Sequence, residues 1–271
     1  MRNYYSRSAH KFEANVLNED AAMARRDRLA VSDGAGGGGV FAERWSRYLL
    51  KNLPRKPITS FAELDAWVDG IWEPFYNDSE VDAKARGGLF LEKFYDEGSF
   101  ATLAATWKTG EREWQWMTYG DSVVFHYDRE SGILEHSPIR LADFDKPPYL
   151  ISDKDPLKEE GFHTGRFSIS DSSVVFVASD TLAHYILMMY ELSKEEEYKD
   201  EIAEALQAKT KNSNFILTAQ NISFSFPDIL SRLLDRSKDY RSKLRRLKKE
   251  GLLGHDDYSI AVSFESDGRL P

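Results

Sequence analysis

Residues 29–39 read Leu-Ala-Val-Ser-Asp-Gly-Ala-Gly-Gly-Gly-Gly. An apolar, strand-like run ends in a carboxylate, Asp33, and passes into a loop with glycines at 34 and 36–39. Backbone without Cβ can approach a metal, a phosphate or an ordered water closely, and it tolerates positive φ. A carboxylate at a strand end beside such a loop suits a hard cation. The acidic pair Glu19-Asp20 lies just upstream, and Asp recurs beside strand-like runs in Gly120-Asp121-Ser122, Ser179-Asp180 and His255-Asp256-Asp257.

Any one of these aspartates has an ordinary explanation, because Asp and Gly are common turn residues whose side chains bond local backbone. Several in one chain, each against a run that looks buried, point further. A pair of divalent cations about 3.5–4 Å apart needs carboxylates arriving from different strands, one of them bridging.

The runs themselves are short, β-branched or aromatic, and bounded by turn residues, which predicts a mostly antiparallel arrangement. They are Arg28–Ser32, Ser99–Trp107, Glu113–Tyr119, Ser122–Tyr127, Ser173–Ala178 and Tyr258–Phe264. Helical spacing predicts helices over Phe41–Asn52, Phe61–Tyr76, Thr181–Ser193, Glu195–Lys209 and Pro227–Glu250. Ser60 followed by Glu63 resembles a capping box at the second of these. The last is amphipathic, with leucines on one side and a basic face that reads as solvated. Residues 131–167, with four prolines, read as a flap or loop insertion. Together these predict a single domain over 1–271, with a flap at about 131–167 and a helical segment at 181–250.

Composition narrows the chemistry. The 271 residues carry 45 acidic against 36 basic side chains, a net charge of −9, which argues against generic nucleic-acid binding. No apolar run approaches the roughly 20 residues of a membrane span, and the first residues lack the apolar core of a signal peptide. A cytoplasmic monomer with no membrane association is the expectation. The absence of cysteine excludes thiolate zinc sites and cysteine nucleophiles. The six histidines show no metal-ligand spacing, so oxygen donors must dominate any metal site, favouring magnesium, manganese or calcium. The glycine loop lacks the Lys-Ser/Thr ending of a P-loop, and parallel βαβ units for a dinucleotide fold are missing. The six tryptophans read as core and helix–sheet packing. His184 reads as a packed side chain, and His255, beside Asp256, as a candidate acid.

Six segments in order, NEDA at 18–21, AVSDGAGGGG at 30–39, GSFATLAA at 98–105, YGDSVVFHY at 119–127, VVFVASDTL at 174–182 and DDYSIAVSF at 256–264, resemble the protein phosphatase 2C family of metal-dependent serine/threonine phosphatases. The resemblance runs through essentially the whole chain. It implies an α+β fold, a four-layer α/β/β/α sandwich with two central antiparallel sheets flanked by helices. It also implies two Mn2+ or Mg2+ ions, with a weaker third, that activate water against phosphate monoesters of a phosphorylated protein substrate. Residue by residue, Asp33 would bridge the ions and the Gly34 carbonyl would bind one. Glu19 would act through a bound water, Asp180 and Asp256 would complete the second ion, and Asp121 would serve the third. Asp33 and Asp180 would be central to catalysis.

The chain also departs from the family pattern. Asn15 stands where members commonly carry a phosphate-gripping arginine, Ala35 where some carry a histidine, and Thr181 where a glycine follows the Ser-Asp. Lys11, Arg25, Arg26 and Arg166 are the candidates for a replacement charge. The alternative implied by these departures is a pseudophosphatase that binds metal or a phosphorylated partner without turnover.

Overall fold

The computed structural model describes residues 2–37 and 39–265, so Gly38 of the glycine loop lies outside the described residues. In chain order the elements are β1 (Arg2–Ala9), β2 (Ala21–Ala24), β3 (Arg28–Ser32), α1 (Ala42–Asn52), α2 (Phe61–Asp69), α3 (Trp72–Arg86), α4 (Gly88–Glu97), β4 (Phe100–Ala101), β5 (Leu103–Lys108), β6 (Glu113–Tyr119), β7 (Val123–Asp128) and β8 (Ile133–His136). There follow β9 (Ile151–Ser152), β10 (Phe162–Ser168), β11 (Ser173–Ala178), α5 (Asp180–Ser193), α6 (Lys199–Gln207), α7 (Lys211–Gln220), α8 (Phe226–Leu234), α9 (Tyr240–Lys249) and β12 (Tyr258–Glu265).

Two five-stranded antiparallel sheets form the centre, ordered β1-β12-β11-β7-β8 and β10-β6-β5-β3-β2, with β4 and β9 as a small separate pair. Alternation along each strand explains the layering, since neighbouring side chains point to opposite faces. In β11, Val175 and Val177 meet Leu29, Val31, Trp114 and Val124 between the sheets. The alternate residues Val174, Phe176 and Ala178 face the helices, packing with α5 residues such as Leu182 and Ile186. In β3, Ala30 faces outward to Trp45, Leu49 and Phe94 of the first helical layer. Strands buried on both faces read as continuous apolar runs, which is why SVVFVA shows no polar alternation. The result is the α/β/β/α sandwich, with α1–α4 over one sheet and α5–α9 over the other.

Several predicted elements differ in detail. The run 99–107 breaks at Thr102 into β4 and β5. The helix predicted over 61–76 ends at Asp69, and α3 restarts after Gly70 and Ile71. Ser60 caps α2 by accepting from the Glu63 amide, but the Glu63 carboxylate takes the Thr59 amide instead of closing a capping box on Ser60. The helix predicted over 227–250 is two, α8 and α9, parted at 235–239. Sequence reading missed β1, β2, α4 and α7, and residues 131–167 contain β8, β9 and most of β10. Trp45, Trp107, Trp114 and Trp116 are buried, and Trp45 and Trp107 donate their indole N–H to the carbonyls of Ile151 and Pro54.

Candidate metal and phosphate site

The register of one hairpin begins the site. β2 pairs with β3 so that Ala21 faces Ser32. Extending that pairing by one residue sets Asp20 opposite Asp33 on a common face, and sends Glu19 to the other. In the second sheet Ala178 pairs with both Val123 and Ile260. The ends of β7, β11 and β12 therefore lie together and present Asp121, Asp180 and Asp256.

A layer of hydroxyls beneath the carboxylates fixes these ends. Thr102 Oγ1 and Ser122 Oγ are 2.8 Å apart, joining the two sheets, while Ser32 Oγ donates to the Thr102 carbonyl and the Asp33 amide to Thr102 Oγ1. The Ser179 amide donates to the Ser259 carbonyl and the Ser259 amide to Ser179 Oγ. All five of these hydroxyl residues are buried. The break at Thr102 thus has a purpose, turning a strand into a two-sided clamp on Asp33.

The cluster is strongly self-repelling. Burial pushes the Asp33 carboxyl well above the usual range, and the fields of Asp20, Asp180, Asp256 and Asp121 add to it. Burial, then Asp180, raises Asp121 to about 8. Burial and Asp256 raise Asp180 to about 6, against a hydrogen bond with Asp33 that favours its anion. Asp256 is raised mainly by burial. Asp20 is 3% exposed and is also raised well above the usual range, first by burial and then by Asp180 and Asp257. Both Asp20 carboxylate oxygens are buried without a hydrogen-bond partner; the Ser179 and Ser259 hydroxyls favour its anion from nearby without reaching hydrogen-bonding geometry.

Among the described residues, no three His, Asp or Glu side chains as placed surround one point at ligand distance. The donor set still fits a hard divalent cation. It is all oxygen, it gathers five mutually repelling carboxylates, and Asp20 offers two buried, unpartnered oxygens.

The structure places each predicted residue as follows. Asp33, Asp121, Asp180 and Asp256 act on one another in a single cluster. Gly34 sits beneath them, where a Cβ would lie 2.6 Å from the Glu19 carbonyl and 2.7 Å from that of Ala42. Glu19 stands aside, half-buried against Gly36 and 3.7 Å from Lys11 Nζ. Asp20, which sequence reading did not name as a site residue, is the neighbour whose carboxyl acts on Asp33 and feels Asp180; the signal was the alternation of Glu19 and Asp20 at the start of a strand.

Asp257 was also missed as a separate element. Buried, it accepts the Lys11 amide at 2.8 Å on Oδ1 and the Glu19 amide at 2.6 Å on Oδ2. It thereby holds the loop 10–19 over the site. Of the candidate cations only Lys11 is at the cluster. Burial alone would lower its pKa, but Glu19, Asp256 and Asp257 outweigh burial and raise it. Arg166 is turned to Gln115 and Glu113, and Arg25 and Arg26 lie in the turn at the opposite end of the β2–β3 hairpin. Asn15 is exposed, with φ 64°. His255 is exposed and bonded to Glu13 and Lys248. His184 is buried between Phe144 and Phe215, and burial lowers its pKa to about 4.

Neither a family model nor a curated protein matches the sequence; solved structures do. The chain is similar to the catalytic domain of the serine/threonine protein phosphatase PstP in complex with two manganese ions, at a TM-score of 0.52 and 15% identity, covering 97% of each chain. PppA of Pseudomonas aeruginosa, described as a key regulatory component of its T6SS, matches at 0.51 and 16%, again over 97% of each chain. The serine/threonine phosphatase Stp1 of Staphylococcus aureus matches at 0.50 and 12%, over 97% of this chain and 94% of its own. The chain therefore has the protein phosphatase 2C fold that its sequence motifs resemble.

Proposed function

We infer that this protein is a divergent metal-dependent phosphoprotein phosphatase that hydrolyses serine or threonine phosphate monoesters. The observation that carries the reading is the cluster of Asp20, Asp33, Asp121, Asp180 and Asp256 at the adjoining ends of the two sheets, all with raised pKa values; among the described residues the basic side chains acting on it are Lys11 at the rim and the exposed His255 beside Asp256. Asp33, Asp180, Asp256 and the Gly34 carbonyl are assigned to two Mn2+ or Mg2+ ions, Asp121 to a weaker third, and Glu19 and Asp20 to waters around them. When bound, the ions would acidify the attacking water and neutralise the phosphate oxygens.

The chain's own residues supply the rest. The Thr102–Ser122 bridge keeps Asp33 and Asp121 in register. Asp257 fixes the loop that carries Lys11, and the Lys11 ammonium, drawn by Glu19, is the charge available to a substrate phosphate. No cysteine or other protein nucleophile is required. The phosphorylated protein is the substrate class this reading names. Among the described residues no helix is long and apolar enough to cross a membrane.

A second reading, a pseudophosphatase that binds metal or a phosphoprotein without turnover, is favoured by one observation: the position of the family arginine is the exposed Asn15, and Lys11 is already drawn to Glu19. The purified protein should hydrolyse p-nitrophenyl phosphate and a phosphothreonine peptide with manganese between pH 6 and 9, and Asp33→Asn should abolish it. Calorimetric Mn2+ binding with no hydrolysis above that variant would select the pseudophosphatase. Neither binding nor hydrolysis would end both readings.

A further inference from the structure

The helical layer over the β1-β12-β11-β7-β8 sheet contains a second cavity, remote in chemistry from the acidic cluster. It is a trough of about 600 Å³ between α5, α8, α9 and the loop 221–225. Ile222, Phe224, Ile229, Leu233, Leu247 and Leu252 line it. Ile222 is an exposed hydrophobic side chain, and Phe224, Ile229 and Leu247 are only partly buried. Apolar walls of that volume have the scale of a small-molecule site.

The polar groups at the trough differ in whether they are already engaged. Arg246 Nε donates to Glu250 Oε1 at 2.8 Å. Lys243 Nζ donates to Asp235 Oδ2, to Ser237 Oγ and to the Arg232 carbonyl. Among the described residues, the Arg232 guanidinium has no ion pair or hydrogen bond of its own. It is exposed and lines the trough with Tyr185, whose hydroxyl has no hydrogen-bond partner among the described residues and feels the charge of Glu250 first, a carboxylate already held by Arg246, and that of Arg232 second. One unclaimed guanidinium and one unclaimed phenol thus stand together beside an apolar trough.

We propose that this trough binds a free medium-chain fatty acid, its carboxylate on Arg232 and the Tyr185 hydroxyl and its alkyl chain along Ile229, Leu233 and Leu247. A guanidinium takes a carboxylate bidentately, and each buried methylene adds to affinity. A single cation matches a single headgroup. An acidic protein surface is the poorer occupant, because the net charge of −9 on this chain repels each of its many carboxylates at long range, whereas a fatty acid brings only one. The site shares no side chain with the acidic cluster, so it stands whether or not the phosphatase reading does.

The test uses the full chain without divalent metal and dodecanoate below its micelle concentration, followed by titration calorimetry. Saturable one-to-one binding is expected. Arg232→Gln should weaken dodecanoate about tenfold or more while leaving dodecanol binding little changed, which a merely apolar surface would not do. Ile229→Trp, which fills the trough, should remove binding of both; a thermal melt matching the parent shows that each variant is folded. Absence of saturable binding, equal loss for dodecanoate and dodecanol in Arg232→Gln, or full dodecanoate binding by folded Ile229→Trp would overturn the proposal. So would binding only of an acidic amphipathic peptide or of anionic vesicles.

Discussion

Asp256 and Asp257 are adjacent, yet they do different work. Asp256 joins the acidic cluster, while Asp257, whose charge also reaches Asp20, ties two backbone amides, those of Lys11 and Glu19. Hydrogen bonds to a charged group contribute about 1.5–3 kcal/mol each. Asp257→Ala should therefore lower the unfolding free energy by about 3–6 kcal/mol in urea titrations, and should also slacken the loop that presents Lys11. Lys11 itself makes a separate prediction. If it receives the substrate phosphate, Lys11→Ala raises KM for a phosphopeptide about tenfold with a smaller change in kcat, and Lys11→Arg restores it, as steady-state kinetics would show. An unchanged KM in Lys11→Ala would remove that role. The sequence made Asp33, Asp180 and Asp256 legible because each abuts an obvious strand. It named Lys11 only as one of four candidate cations and left the parts of Asp20 and Asp257 illegible, because these depend on the hairpin register and on contacts more than 230 residues apart in the chain.

Among the elements, β3, β6 and β11 were legible to the residue, since continuous apolar or aromatic runs closed by Asp, Gly or Ser have one reading. β1 and β2 were not. β1 is an edge strand whose RNYYSRSA mixes polar and aromatic residues, and β2 is only four residues long. The split of α8 from α9 was hidden because both helices bury leucines, Leu230, Leu233 and Leu234 in one and Leu244 in the other, in the same core. The period carries across while the backbone turns at Asp235, and Lys243 closes the turn by bonding the Arg232 carbonyl, Asp235 and Ser237. The glycine loop is the element on which the site depends most. A Cβ at Gly34 would meet two backbone carbonyls at 2.6 and 2.7 Å, and neither can swing aside as a side chain can. Gly34→Ala should cost about 1–3 kcal/mol by overpacking and weaken Mn2+ binding, whereas Gly37→Ala, with open space around its Cβ, should do neither. Chemical denaturation and calorimetry on the pair would check this, and equal behaviour of the two variants would refute it.

For the molecule as a whole, the cluster makes folding depend on pH in a definite direction. Asp121 at about 8 and Asp180 at about 6 lie above the ordinary aspartate value of 3.8, and Asp20 and Asp33 are raised as well. The folded chain therefore holds more protons than the unfolded chain between about pH 4 and 8, and stability falls as pH rises through that window. Glu191, buried in α5 and raised to about 8 by burial, adds to the same slope. Asp128 acts in the opposite sense, since hydrogen bonds from Ser170 and its neighbours hold its carboxyl below the usual range, but its effect falls on the acid side of that window. On the phosphatase reading a divalent cation would take the place of the missing protons, and would stabilise by an amount set by its concentration over its dissociation constant. Metal-free protein should thus melt several degrees lower at pH 8 than at pH 5, and manganese should raise the melting temperature far more at pH 8. Glu191→Gln should flatten part of the metal-free slope and leave the manganese effect intact; Asp33→Asn should flatten the slope and abolish that effect. A manganese shift equal at the two pH values, or a metal-free melting temperature that rises from pH 5 to 8, would mean that the carboxylates do not form the charge-stressed centre on which the phosphatase reading rests.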